Sequence, residues 1–301
     1  MSTTFNRERK VAGWILSAPL LILLAGLLVW PVYLGIQTSM THDVLSEFET
    51  YPVGLENFRS ILTEPNFWSS IRFTLIFALT VTIIELILGF SLALLFDRIF
   101  PGKRILFSLM LVPIMIAPSL MAVMFRLILN ENIGVIPGIL EKIGLSYSVF
   151  DQNNVFTSLV LLDVIEFTAF TFLLSYSALQ NMPHEIYEAA SIDGANARQT
   201  LWRVTLPMLK PALAIVFLLR ILDSIRTFDS IYILTGGGPG TTTQTVGIYI
   251  YKTAFIYGDF GMAASAAILL VLLLAPFMPS IIKQFNLGAG DSRSKRVGLR
   301  H

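Results

Sequence analysis

Arg220, Asp223, Arg226 and Asp229 recur at steps of three through an apolar stretch and alternate in sign. Residues three apart are neighbours on a helix, so successive members of this set can pair. A charge inside a bilayer is costly unless it faces protein or a water-filled cavity. Two readings follow. The four form an internally paired polar stripe packed against other helices, or some of them line a path for a polar solute. In the second reading Asp223, Arg226 and Asp229 supply charge, and Phe228 or Tyr232 supplies an aromatic face against which a solute ring can stack. Glu85, in an earlier apolar stretch, and Asp163 with Glu166, one turn apart in another, pose the same choice. Glu166 joins the candidates for the path.

Catalysis fits these residues less well. Asp163 and Glu166 are spaced as a carboxyl pair for general acid and base work, but nothing assembles around them. The chain has no His-Glu-x-x-His run and no Gly-x-Ser-x-Gly elbow. His42, His184 and His301 fall in polar segments, and the absence of cysteine excludes a disulfide, a thiol nucleophile and a Cys-based metal site. Gly236-Gly237-Gly238-Pro239-Gly240 lacks the Lys and Ser/Thr of a phosphate-binding loop and reads as a tight turn. No Walker sequence occurs anywhere, so this chain is expected to bind no nucleotide, cofactor or metal of its own.

The elements that must carry these residues are membrane spans. Hydrophobic residues make up 54% of the chain and charged residues only 14%, against roughly 25% charged in a soluble domain. Mean hydropathy is +0.71. Lipid admits only helices or closed barrels, and a helical span needs about 20 apolar residues. Six runs meet that length: Val11 to Ile36, Ile71 to Phe96, Ile105 to Leu129, Phe156 to Leu179, Pro211 to Leu234, and Met262 to Ile282. They predict an all-α polytopic membrane protein with six transmembrane helices. A cytoplasmic segment 1–10 precedes a single membrane domain 11–285, and a cytoplasmic tail 286–301 follows it. The first run is too long for a secretory signal and lacks a clear cleavage site, so it is expected to stay in the chain.

Lys and Arg set the orientation. Arg7, Arg9, Lys10, Arg98, Lys103, Arg104, Arg198, Arg203, Lys210, Lys283, Arg293, Lys295, Arg296 and Arg300 gather on one side, with little beyond Arg59, Lys142 and Lys252 opposite. The positive-inside rule places both termini in the cytoplasm. Trp30, Tyr33 and Trp68 then fall near the outer interface. The outer segments Gln37 to Ser70 and Asn130 to Val155 are each long enough for a short helix, the first starting at Pro65.

The loop 181–210 lies between the fourth and fifth runs, on the cytoplasmic side. Pro183 suits a helix start, Ile186, Ala189 and Ala190 recur on one face, and Gly194 permits the left-handed residue that ends a helix. A second short helix is expected from Asn196 to Val204, with Leu206-Pro207 and Lys210-Pro211 leading into the next span. Its small residues allow close approach and Glu185 and Glu188 offer charge. From these residues alone the loop is an ordinary interfacial linker or a docking surface.

The spacing Glu188-Ala189-Ala190, three residues, Gly194, nine residues, Val204-Thr205-Leu206-Pro207 resembles the EAA loop of ATP-binding cassette importer permeases. The one departure is Val204 where the family has Ile. Gly54-Leu55-Glu56-Asn57-Phe58, Glu64-Pro65-Asn66-Phe67-Trp68 and the run Phe228 to Pro239 are similar to the carbohydrate-uptake branch, which includes maltose, trehalose and glycerol-3-phosphate permeases. The resemblance implies a type I importer permease fold. It implies that a coupling helix between helices 4 and 5 docks on a separate ATPase, with coupling roles for Glu188, Ala189, Ala190, Gly194, Leu206 and Pro207. It further implies a second homologous permease forming a heterodimer, two ATP-binding subunits holding ATP and Mg, an extracytoplasmic solute-binding protein, and a place in the bacterial inner membrane. Lipid is the surrounding medium, and no nucleic-acid partner is expected. The competing expectation is an ion-coupled secondary transporter of a small polar solute, which would use buried carboxylates as proton relays and would not need such a loop.

Overall fold

The computed structural model describes residues 2–47, 49–98, 101–144, 148, 151–277 and 279. Its helices are α1 (Ser2–Ser39), α2 (Glu56–Thr63), α3 (Pro65–Asp97), α4 (Lys103–Leu111), α5 (Pro118–Ile128), α6 (Val135–Lys142), α7 (Val155–Gln180), α8 (His184–Ile192), α9 (Ala197–Thr200), α10 (Leu206–Ile225), α11 (Asp229–Thr235), α12 (Val246–Tyr251) and α13 (Phe260–Leu274). Among the described residues the only sheet pairs β1 (Thr41–His42) with β2 (Tyr51–Pro52), antiparallel. The tail 286–301 and the end of the sixth expected span lie outside the described residues.

Among the described residues four helices are long and apolar enough to cross a membrane: Leu16–Ser39, Pro65–Asp97, Val155–Gln180 and Ala197–Ile225. The third expected run is a bent pair, Lys103–Met115 and Pro118–Ile128, whose halves meet at 96°. The cause is local. Pro118 opens α5, and the residue before a proline is driven out of the helical region, so Ala117 is extended at ψ 137°. The sixth run begins as α13, Phe260–Leu274.

Three boundaries differ from the sequence reading. Pro65 does not open an interfacial helix: it is the first residue of the span α3, and the short helix is α2, just before it. The fifth span does not start at Pro211 but runs on from the loop, helical from Ala197 through a π turn at Leu201–Thr205. It also stops at Ile225 rather than Leu234, so Arg226, Thr227 and Phe228 form a break before α11. The stripe of four charges therefore does not ride on one helix. Asn130 to Val155 does contain the expected short helix, α6.

The chain divides into two compact units. In the unit built from residues up to Phe67 and Ile250–Leu273, the end of α1 is tied by polar contacts. Asn57 Nδ2 donates to the carbonyls of Ser39 at 3.0 Å and Thr41 at 2.8 Å, and Ser265 Oγ donates to Ser39 O at 2.9 Å. Gly261 sits where a Cβ would lie 2.3 Å from Thr41 O, so a larger residue would separate these segments.

The unit that contains Trp68–Tyr249 holds most of α3 together with α7, α10, α5 and α11. Phe77, Val81, Leu159, Leu162, Ile231 and Leu234 form an apolar core at one end, and Ala93, Phe96, Phe172, Leu179 and Leu209 form a second. Between them α3 and α7 touch through Gly89, where a Cβ would lie 2.6 Å from the Phe172 amide nitrogen. Thr171 Oγ1 donates to Glu85 O at 2.8 Å across the same contact.

The same layer buries an ionic cluster. Arg220 of α10 is 0% exposed. Its Nη2 donates to Glu85 Oε1 of α3 at 3.0 Å, its Nε bonds Glu85 Oε2, and its Nη2 also bonds Asp163 Oδ2 of α7. Nη1 reaches Asp223 Oδ2 at 3.2 Å. One guanidinium thus fastens three spans. Its fork of donors suits this task, which a point-charge ammonium would not perform.

Two outcomes are expected. Gly89→Val forces backbone apart in a packed interface and should cost about 1–3 kcal/mol, read as a lower midpoint of thermal unfolding of the detergent-purified chain. Arg220→Met leaves Glu85 and Asp163 buried without a cation, a loss of about 3–5 kcal/mol, and should abolish folded yield. Adding Glu85→Gln and Asp163→Asn to Arg220→Met should restore it in size-exclusion chromatography.

Candidate functional site: a cleft at two broken spans and an exposed loop

Two spans are interrupted, and their interruptions meet. The bend before Pro118 and the break at Arg226-Thr227-Phe228 both face a cleft of about 200 Å³, lined by Pro118, Phe167, Asp223, Arg226, Phe228 and Asp229 among others. Beyond the breaks α5 packs on α11, and Arg126 Nη1 donates to Ile233 O at 3.2 Å between them. A broken helix inside a membrane exposes backbone polar groups, which is tolerated where the chain lines a cavity.

Of the residues expected to line a path, Asp223, Arg226, Phe228 and Asp229 come together here. Arg226 and Asp229 are exposed, with no ion pair among the described residues. Asp223 is half-exposed at 47% and bonded on one side to Arg220. Tyr232 is not in the lining. Its ring stacks on that of Phe228, centroids 5.2 Å apart, against the apolar core. Glu166 is buried outside the lining, and its Oε2 has no hydrogen-bond partner.

Phe167 and Pro118, with Thr227 and Ser230, complete the lining, and none of the four was singled out as a site residue from the sequence. The signal for Pro118 was available, since a proline inside an apolar run breaks the helix. Phe167 carried none, being one aromatic in an aromatic-rich span. The ionic cluster was half legible. Glu85 and Asp163 are acids in spans that offer them no base at their depth, which pointed to a cation from a third span, yet the i, i+3 spacing directed attention to pairing within the stripe.

The loop between α7 and α10 is rigid by construction. Helix α8 ends in a Schellman turn: Ala195 N donates to Ala190 O at 2.9 Å and Gly194 N to Ser191 O at 3.1 Å. This places Gly194 at φ +74°, which a glycine adopts without strain. Asn196 then caps α9 in a reciprocal box with Gln199. Glu188, Ala189, Gly194 and Pro207 are exposed, Ala190 is buried and Leu206 is half-buried. Ile192 is 87% exposed and Trp202 61% exposed, apolar surface presented to the outside of the loop. On its inner side Gln180 Nε2 donates to Asp97 Oδ1 at 2.7 Å, and Tyr187 OH to Met182 Sδ at 3.4 Å.

Comparison with known proteins agrees with this layout. Residues 85–284, more than half of the chain, match the family described as binding-protein-dependent transport system inner membrane component. The trehalose/maltose transport system permease protein of Thermococcus litoralis is 33% identical over 90% of this chain and 92% of its own length. The multiple sugar-binding transport system permease protein of Streptococcus mutans is 30% identical, covering 88% and 92%. The sn-glycerol-3-phosphate transport system permease protein of Agrobacterium fabrum is 27% identical, covering 88% and 91%. Among solved structures, a bacterial ABC transporter involved in alginate import aligns with a TM-score of 0.77 at 20% identity, covering 93% of this chain and 96% of its counterpart. A bacterial alginate ABC transporter in complex with an alginate pentasaccharide-bound periplasmic protein gives 0.76, also at 20% identity, over 90% and 94%. The fold is therefore that of an importer permease, and the role is transport rather than catalysis. With its exposed loop, broken spans and cleft, this chain belongs to the inner-membrane permease components of binding-protein-dependent ABC transport systems.

Proposed function

We propose that the chain is half of the translocation pathway of an ATP-driven importer for a sugar or related polyol, and that its loop from Glu188 to Pro207 couples the pathway to a separate ATPase. The observation that carries this reading is mechanical continuity. The exposed loop runs through α9 and the π turn into α10 as one apolar helical span, Ala197–Ile225, and the far end of that span supplies Asp223 to the cleft. A force on the loop, passed through the hydrogen-bonded turn at Gly194 to Asn196, would move the cleft wall with no further break in the helix.

In this assembly a second, homologous permease completes the pathway as a heterodimer. Two ATP-binding subunits hold ATP and Mg, and a solute-binding protein delivers the substrate from outside. Both termini face the cytoplasm, consistent with the distribution of Lys and Arg. ATP-driven closure of the ATPase subunits pushes the docked loops and biases the pathway between inward- and outward-facing states. Glu188, Ala189 and Gly194 form the docking surface, with Ala190 packed beneath it to seat the helix and Ile192 adding exposed apolar contact, while Leu206 and Pro207 join the loop to the span. Asp223, Arg226, Phe228 and Asp229 contact the passing solute, with Tyr232 backing Phe228 and Glu166 behind the wall. The sugar class is supported by the names of the relatives, among them permeases for trehalose/maltose, multiple sugars and sulfoquinovosyl glycerol.

The test begins with mild-detergent purification of the tagged chain and mass spectrometry of its companions. A second permease and an ATPase are expected, and a solute-binding protein is then identified whose bound solute serves in uptake assays. Recovery of the chain alone, still moving a solute down a proton or sodium gradient, would establish the ion-coupled alternative. Gly194→Leu forces a side chain into left-handed backbone at about 1–2 kcal/mol. It should reduce ATP-driven uptake about tenfold while the two permeases still co-purify. Asp229→Asn should raise the half-saturating concentration for uptake about tenfold with unchanged yield, since a hydrogen bond to a charged group is worth about 1.5–3 kcal/mol.

A further inference from the structure

Arg220 does not itself line the cleft, but two of the groups it holds do. Its Nη1 donates to Asp223 Oδ2 at 3.2 Å, and its guanidinium carbon lies 4.1 Å from the centre of the Phe167 ring. Both partners are lining residues. The other edges of the guanidinium are taken by Glu85 and Asp163, from two neighbouring spans. Glu85, Asp163 and Arg220 are each no more than 1% exposed, whereas the side chain of Asp223 is 47% exposed. The fixed member of the Arg220–Asp223 pair is thus the arginine. Asp223, half-exposed in the cleft, has one rotamer selected for it by a charge-assisted bond to a buried donor. Phe167 is held in the same way, its ring face against the cation.

We propose that Arg220 is a positioning residue of the cleft: pinned by Glu85 and Asp163, it fixes the direction of the Asp223 carboxylate and the plane of the Phe167 wall, and so sets which polar solutes the cleft admits. The role in solute selection rests on the transport reading above, but the geometry can be tested with no solute present. Lysine at this position would keep the charge and lose the fork that holds two acids and Asp223 together.

The chain has no cysteine, so Thr227→Cys puts a single thiol among the lining residues. In the purified complex, intact-mass spectrometry of this chain follows its modification by a cationic and by an anionic methanethiosulfonate of similar size. The ratio of the two rates reports where the nearby carboxylate points. Arg220→Lys releases Asp223 into the cleft at constant charge and should raise the cation-to-anion ratio about threefold, the size of one exposed ion pair. Asp223→Asn should lower the ratio, and Arg220→Lys added to Asp223→Asn should change nothing further. A folded Arg220→Lys complex with the parental ratio, or an equal shift in the presence and absence of Asp223, would make Arg220 structural only and overturn the proposal. If Arg220→Lys does not assemble, Glu85→Asp loosens the same clamp at constant charge and must meet the same two criteria. Uptake separates the two readings. Complete labelling of Thr227→Cys that leaves uptake of the binding protein's solute untouched would remove the cleft from the pathway, whatever the ratio shows.

Discussion

Arg220 is buried from water, and among the described residues Glu85 and Asp163 meet no other base. This mutual dependence fixes much of the larger unit. Glu85 on α3, Asp163 on α7 and Arg220 on α10 must lie at one depth for the bonds to form, so the three spans are in register with one another along their axes. An apolar interface in lipid is permissive about such sliding, because hydrocarbon chains are as apolar as leucine and packing alone drives association. A charge cluster is not permissive, since displacement by one turn would leave ions unpaired. The close approach at Gly89, next to the cluster, follows from the same constraint.

The register so fixed accounts for the placement of the cleft. Ser224 Oγ donates back to Arg220 O at 2.9 Å and lies near Thr82, and α10 ends immediately afterwards at Ile225. The anchor is thus about one turn from the break, and beyond it the chain returns to the α3–α7 pair through Ile231 and Leu234 of α11. The charges at the break turn outward: Arg226 and Asp229, which would have continued a paired stripe on an unbroken helix, are exposed. Of the charged stripe, Arg220 alone is packed away, while Asp223, bonded to it, and Arg226 and Asp229 face the cavity.

The sequence disclosed what depends on local chemistry. Apolar length announced the spans, because lipid leaves the backbone no other option. Gly194 announced the end of α8, because only glycine takes that conformation without strain, and the small and acidic residues before it marked an exposed surface. Pairing across helices was not legible in this way. Nothing in the neighbourhood of Arg220 distinguishes a partner at 223 from partners at 85 and 163, which only folding brings near. The broken fifth span was hidden for a related reason: Arg226-Thr227-Phe228 contains no proline or glycine, and the break expresses tertiary demand rather than local propensity. The solute is less legible still, because an interior cleft of mixed polarity is compatible with many polyols.

The π turn at Leu201–Thr205 has a further consequence. A π turn carries one residue more than the α-helical ladder needs, closing with the amide of Leu206 on the carbonyl of Leu201. Each residue in an α-helix rotates the chain by about 100°, so that surplus residue decides which side of the span the loop's exposed Ile192 and Trp202 are turned toward. The angular setting between the outward surface of the loop and the inward face of α10 is therefore recorded in chain length rather than in side-chain identity. Gain or loss of a single residue in this turn would re-aim the loop about the span, with Thr205, which the turn buries, as the residue to be re-seated, while Arg220 and the acids that hold it lie further along α10.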